Sequence, residues 1–204
     1  MKLGLTLVRA VVGVLFFGHG AQKLFGWFGG HGPEGTAQMF ESLGLRPGHK
    51  HARMAGAAEA GGGTLLTLGL LTPAAAASLI GVMSTAIQRV HIKNGPWAAQ
   101  GGYEYNVTLI AILVALADLG PGDLSLDSAL GLEVSGPLVA LLALAAGIGG
   151  AAAMTRADQN QPAGGAPIPG DPASTAASAE PASTVTSADP TSSAASPGPA
   201  SSTA

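Results

Sequence analysis

Apolar positions run almost unbroken through "GLTLVRAVVGVLFFGHGAQKLFG" (residues 4–26), and its ionisable exceptions are Arg9, His19 and Lys23. A helix rises about 1.5 Å per residue, so roughly 20 residues cross the ~30 Å hydrocarbon layer of a membrane. Similar runs over 53–71, 74–92 and 104–120 complete four predicted spans. A fifth, "GPLVALLALAAGIGGAAAM" at 136–154, carries no charge. The pattern predicts an all-α protein: a transmembrane four-helix bundle over 1–130, a fifth membrane helix over 131–154, and a tail over 155–204. That tail is dominated by Ala, Ser, Thr, Pro and Gly, which cannot bury a core, so disorder is expected there.

The connectors carry their own signals. In "LLTPAA", Thr72 is placed to cap a helix and Pro73 to open it, which folds the second and third spans into an antiparallel hairpin. In "PEGTAQMFESLGLRPG", Pro33 and Glu34 open a short helix with Met39, Phe40 and Leu43 on one face, as expected of a helix lying at the membrane interface.

Helical spacing sorts the polar residues. Arg9, Gly13, Phe16, Gly20 and Lys23 fall on one stripe of the first span, and Gly56, Glu59 and Gly63 on one stripe of the second. The third offers Ser78, Gly81, Thr85 and Gln88, and the fourth Glu104, Thr108, Ala115 and Asp118. Charged groups in a membrane face the bundle interior, where small residues let helices approach. By depth, Arg9 and Asp118 lie near one end of the bundle and are expected to form a structural ion pair. Lys23 and Glu104 lie near the other end, with Glu59 about 10 Å inside it. Lys23, Glu59 and Glu104 either fix helix order as ion pairs or line a cavity for a polar ligand or a proton.

Composition sharpens this. The chain is 47% hydrophobic and 10% charged, against about 25% charged for soluble domains. Net charge is −3 and the nine Lys/Arg form no dense run, which excludes a nucleic-acid surface. With no cysteine, disulfides, thiolate metal sites and dithiol relays are excluded, so redox electrons would need a cofactor or a partner. No A-x-A cleavage site follows the first apolar run, so an uncleaved span is expected. Basic and aromatic residues, among them Lys23, Arg89, Lys93, Trp27 and Trp97, collect at one face, which the positive-inside rule places in the cytoplasm of a multi-pass cell-membrane protein. His19 and His91 approach the same end, but no haem-attachment motif accompanies them. "HKH" at 49–51 reads as an interfacial loop rather than a metal chelate, and no metal site is expected.

Three fragments, "RAVVGVLFFGHGAQKLFG", "AEAGGGTLLTLGLLTPAAA" and "GGYEYNVTLIAILVALADLGPGDLSLD", together resemble the DoxX family of small membrane proteins over about residues 5–130. The pattern falls on Arg9, Gly20, Lys23, Glu59, Gly61, Gly62, Thr72, Pro73, Gly102, Glu104, Gly120, Gly122, Ser125 and Asp127; Leu124 stands where a tyrosine is frequent. The resemblance implies a four-helix membrane bundle. For some members it also implies association with oxidoreductases, as a subunit of a thiosulfate:quinone oxidoreductase or as a membrane partner of oxidative-stress and thiol enzymes. It supplies no agreed catalytic residue.

The expected function is therefore an oxidoreductase-associated membrane subunit that presents a quinone or docks a redox partner, with no covalently bound cofactor. Lys23, Glu59, His91 and Glu104 are the catalytic candidates, and His19 and Gln88 could hold a ligand. Two other readings stay open: a non-enzymatic membrane scaffold, and a small-solute transporter, for which no inverted repeat is evident.

Overall fold

The computed structural model describes residues 3–159; the predicted tail from 160 onward lies outside the described residues. The described residues are helical throughout, with turns and loops between: α1 (Leu3–Phe25), α2 (Gly32–Ser42), α3 (Gly48–Leu68), α4 (Thr72–Ala86), α5 (Glu104–Leu119), α6 (Leu126–Leu130) and α7 (Pro137–Gln159). A π turn, Ile87–His91, continues α4. α1 and the stretch Pro137–Asp158 are long and apolar enough to cross a membrane. Their outward faces are apolar as well: Leu7 and Leu141 are each 62% exposed. Such surfaces are rare on soluble monomers.

α1 and α3 form the tightest crossing, and their small residues are the cause. A Cβ on Gly20 would run into the Ala60 backbone, and one on Gly63 would meet Phe17 N and Gly13 O. Both helices bury the stripe the spacing predicts: Arg9, Gly13, Phe16 and Gly20 on α1, and Gly56, Glu59 and Gly63 on α3. Overpacking such a contact costs about 1–3 kcal/mol. Gly63→Val is therefore expected to lower the thermal unfolding midpoint in detergent, whereas Gly61→Val, at a glycine with open space around it, should leave it unchanged.

The apolar core joins Val12 and Phe16 of α1 to Leu66 of α3, Leu79 and Ile80 of α4, and Leu113 and Leu116 of α5. α7 packs along α4 at Gly147, where a Cβ would press on Ile80 and the Ala77 carbonyl. The predicted stripe on α5 is wrong. Thr108 and Ala115 are exposed, and α5 buries Asn106, Leu109, Leu113, Leu116 and Ala117 instead. The physical reason is local. Thr108 Oγ1 donates to the Glu104 carbonyl at 2.8 Å, so its hydroxyl needs no partner on another helix.

Arg9 and Asp118 form no pair. Arg9 is 2% exposed, and its Nη1 donates to the Leu66 and Thr67 carbonyls at 2.9 and 2.8 Å while Nη2 donates to the Leu124 carbonyl at 2.6 Å. These carbonyls belong to the last turn of α3, where a cation is favoured; the Leu66 oxygen also accepts from Gly69 N at 3.1 Å. Gly69, at φ 64, closes α3 with Leu70 N donating back to the Leu65 carbonyl at 2.9 Å. Next to it, α4 starts at Thr72 with Leu71, not Thr72, in the capping position. The cap comes from a distant carboxylate. Asp127 accepts from Leu71 N at 2.8 Å, Thr72 N at 3.1 Å and Thr72 Oγ1 at 3.0 Å. One buried cation thus closes α3 and one buried anion opens α4, and Asp127 is the carboxylate whose charge acts on Arg9.

Two boundaries also shift. α3 begins at Gly48, directly after Pro47, rather than at 53. α7 runs to Gln159 rather than 154, which takes residues 155–159 out of the predicted tail.

Candidate functional site

Lys23 and Glu59 meet where the last turn of α1 packs on α3. Their stripes face each other, and Gly56 admits the stem of Lys23, whose Cβ lies 3.3 Å from where a Gly56 Cβ would be. Lys23 Nζ donates to Glu59 Oε2 at 2.6 Å. Glu59 is only 4% exposed. Nζ also reaches the His19 carbonyl at 3.4 Å. Among the described residues Lys23 is the one hydrogen-bond partner of Glu59, so Oε1 has none. A buried carboxylate in apolar surroundings requires a countercharge, and here Lys23 is the ion-pair partner, with His19 adding a smaller electrostatic contribution.

The pair stands between two cavities. The larger, about 460 Å3, lies among α2, α3, α4 and α7; Lys23, Phe40, Met54, Ala58, Glu59, Val82 and Gly147 are part of its wall. Its lip is apolar, with Met39 43% and Met54 47% exposed. The smaller, about 380 Å3, lies among α1, α5 and the loop before α5; Phe16, His19, Lys23, Glu59, His91, Tyr105 and Asn106 are part of its wall. Lys23, Glu59, Met83 and Ala86 border both.

The π turn distributes two side chains between these spaces. Arg89 borders the larger cavity and His91 the smaller. Residues two apart on a helix point to nearly opposite sides, and π turns recur at functional sites. His91 Nδ1 donates to the Gly101 carbonyl at 2.7 Å, because a carbonyl can only accept. Asn94 Nδ2 donates to the same oxygen at 3.1 Å.

Of the sequence candidates, Lys23, Glu59, His19 and His91 come together around the smaller cavity. Glu104 does not join them. Its Oε1 accepts from Ala98 N at 3.0 Å on the exposed side of the loop, so it fastens the loop to α5. Gln88 lies apart too, exposed and 3.4 Å from Thr155 Oγ1. Ser78, Gly81 and Thr85 border the larger cavity, with Ser78 exposed rather than turned into the bundle.

One group of polar residues was missed. His51 is buried on α3, not in an interfacial loop, and its Nε2 lies 3.1 Å from Asp158 Oδ1. Arg89 Nη2 lies 3.6 Å from Asp158 Oδ2. Neither contact is aligned as a hydrogen bond. These groups gather at the α7 end of the larger cavity, which His51 and Arg89 border. The charged pair Arg156 and Asp158 directly after an apolar helical run was the available signal that the helix continues.

The DoxX family model matches residues 4–92, which contain Arg9, Lys23 and Glu59. A relative from Bacillus subtilis (strain 168), named "Putative oxidoreductase CatD", is 33% identical over 126 residues, covering 62% of this chain and 86% of the relative. No solved structure matches the chain. With the family pattern in α1, α3 and α4 and a relative similar over most of its length, the chain belongs to the DoxX family of membrane proteins.

Proposed function

We propose that this chain is a multi-pass cell-membrane subunit of an oxidoreductase system, holding a quinone in its larger cavity for a redox partner. The observation that carries this reading is an apolar-lipped cavity of about 460 Å3 that ends on the buried Lys23–Glu59 pair. Ligand cavities span roughly 300–1,000 Å3 and combine apolar walls with a few fixed polar groups. The residues present fit a quinone in kind. Phe40, Met54, Ala58 and Val82 offer apolar wall, and Lys23 offers an ammonium donor for a ring carbonyl. A bound quinone supplies two-electron, two-proton chemistry, which this cysteine-free chain cannot supply from thiols. The lateral lip between α2, α3 and α7 faces the side on which a lipid-soluble molecule arrives. The name of the Bacillus subtilis relative supports an oxidoreductase association.

In this reading Lys23 orients the ring and Glu59 holds a proton at Oε1, while the apolar wall excludes water. The partner supplies the electrons from the cytoplasmic side, where basic and aromatic residues collect. The test is purification from the native membrane in mild detergent, followed by extraction of quinone and identification of accompanying polypeptides. Roughly one quinone per chain is expected, lost in Ala58→Phe, which fills the cavity, and retained in Glu59→Gln with turnover reduced at least tenfold. A scaffold would retain its partner polypeptide, carry no quinone, and respond to Glu59→Gln only in stability.

A further inference from the structure

Both cavities are mainly apolar, but polar groups form a larger share of the wall of the smaller one. Its polar groups sit toward the outside: His19 and Tyr105 are exposed, His91 is half-buried, and the Gly101 and Gly102 backbone closes one side. Its floor is formed by buried residues, Phe16, Glu59, Asn106 and Leu109. The burial gradient runs from the loop end of the bundle inward to Glu59. Asn106 adds an independent observation. Its amide can make four hydrogen bonds, yet among the described residues its side chain makes one, from Nδ2 to Met83 Sδ at 3.4 Å. A buried amide with this much unused hydrogen-bonding capacity, beside a cavity that His19, Lys23, Glu59 and His91 also border, is the usual setting of bound water.

We infer that the smaller cavity is a water-filled proton inlet that leads from the loop end of the bundle to Glu59. The destination of the proton rests on the quinone reading above; the presence of water does not. The polar groups that share this cavity with Glu59 set the route. Lys23 and His19 come from α1, His91 from the π turn and Asn106 from α5, while α4 contributes only Met83 and Ala86. With its Nδ1 proton committed to the Gly101 carbonyl, His91 keeps Nε2 free to accept a proton at the rim. Hydronium gives its proton to the Glu59 carboxylate, leaving water and a neutral carboxylic acid, and Lys23 keeps its ammonium charge. With a quinone in the larger cavity, this acid would be its proton donor, and giving the proton up would return Glu59 to the carboxylate. Two such transfers match the two electrons of a full reduction.

The absence of cysteine makes the test direct, because any introduced thiol is unique. Asn106→Cys places one on the floor of the smaller cavity and Ala58→Cys one in the larger. In native membranes, a charged, impermeant methanethiosulfonate should modify Asn106→Cys at least tenfold faster than Ala58→Cys. N-ethylmaleimide should reach both. Decylubiquinone, whose fully substituted ring does not add thiols, should slow labelling of Ala58→Cys and leave Asn106→Cys unchanged. Plugging Asn106→Cys with the charged reagent should slow quinone reduction by the native complex at least tenfold without releasing quinone. If Asn106→Cys does not accumulate, Leu109→Cys on the same floor gives the same comparison. Resistance of both floor thiols to the charged reagent, or undiminished turnover after plugging, would overturn the inlet. A wet floor with no quinone protection at Ala58→Cys supports the inlet and overturns the quinone as its destination.

Discussion

Replacing Asp127 with alanine is expected to destabilise the protein by about 3–5 kcal/mol, the largest stability effect of any single change outside the Lys23–Glu59 pair. The carboxylate satisfies Leu71 N, Thr72 N and Thr72 Oγ1 at once, and Asp127 and Thr72 are buried, so alanine leaves the two Thr72 donors without acceptors and strips a third bond from Leu71 N. Each unsatisfied buried group costs about 1–3 kcal/mol. Arg9 also loses the carboxylate that acts on it. Asp127→Asn keeps one oxygen acceptor and should cost roughly half as much. Arg9→Met strips the cation from the α3 C-terminus, and because the two groups serve one turn, the double substitution should cost less than the sum of the singles. Thermal unfolding in detergent reads these differences. Quinone content per folded molecule should not change, since Arg9 and Lys23 are 14 residues apart on α1, about 21 Å along it. A loss under 1 kcal/mol in Asp127→Ala would contradict the capping role.

Lys23→Met is the second large effect. It leaves Glu59 buried without a countercharge, and breaking a buried pair from one side costs about 3–5 kcal/mol unless the carboxylate takes up a proton. Glu59→Gln is milder, because the amide oxygen still accepts from Lys23 and Nζ can also reach the His19 carbonyl. The double variant Lys23→Met/Glu59→Leu should recover most of the stability, as apolar replacements of buried pairs commonly do. It should still lack quinone-linked turnover. This separation of folding from activity distinguishes a working site from a packing device. Recovery of both stability and turnover in the double variant would assign the pair to packing alone.

The α1 and α3 stripes were legible in the sequence because glycines and charges shared one helical face, and in apolar surroundings both demand a neighbouring helix. Counting residues set Glu59 about 10 Å inside the end that holds Lys23, so their direct contact at 2.6 Å was not legible in the sequence. The partner of Arg9 was not legible, since a side-chain pattern hides backbone carbonyls and the acceptors come from a helix end 57 and 58 positions away. The α5 stripe failed for a related reason. Lipid-facing surfaces need not be polar, so leucines could fill the core while Thr108 satisfied itself on its own helix. Asp158 was hidden by the change in composition at 155, which masked five further residues of α7 and with them the contacts to His51 and Arg89. The two cavities depend on how six helices, α1 to α5 and α7, lean together, which no single helix's periodicity contains.

The central claim is that charges from two helices meet in a shared interior and that a quinone lies against them. Photolabelling with an azidoquinone in native membranes, mapped by mass spectrometry, tests it most directly. The expected cross-links fall on Met54, Ala58, Val82 and Met83, and they disappear with excess unlabelled quinone and in Ala58→Phe. Label spread over outward positions such as Leu7, Val11 and Leu141, indifferent to competitor, would contradict the account.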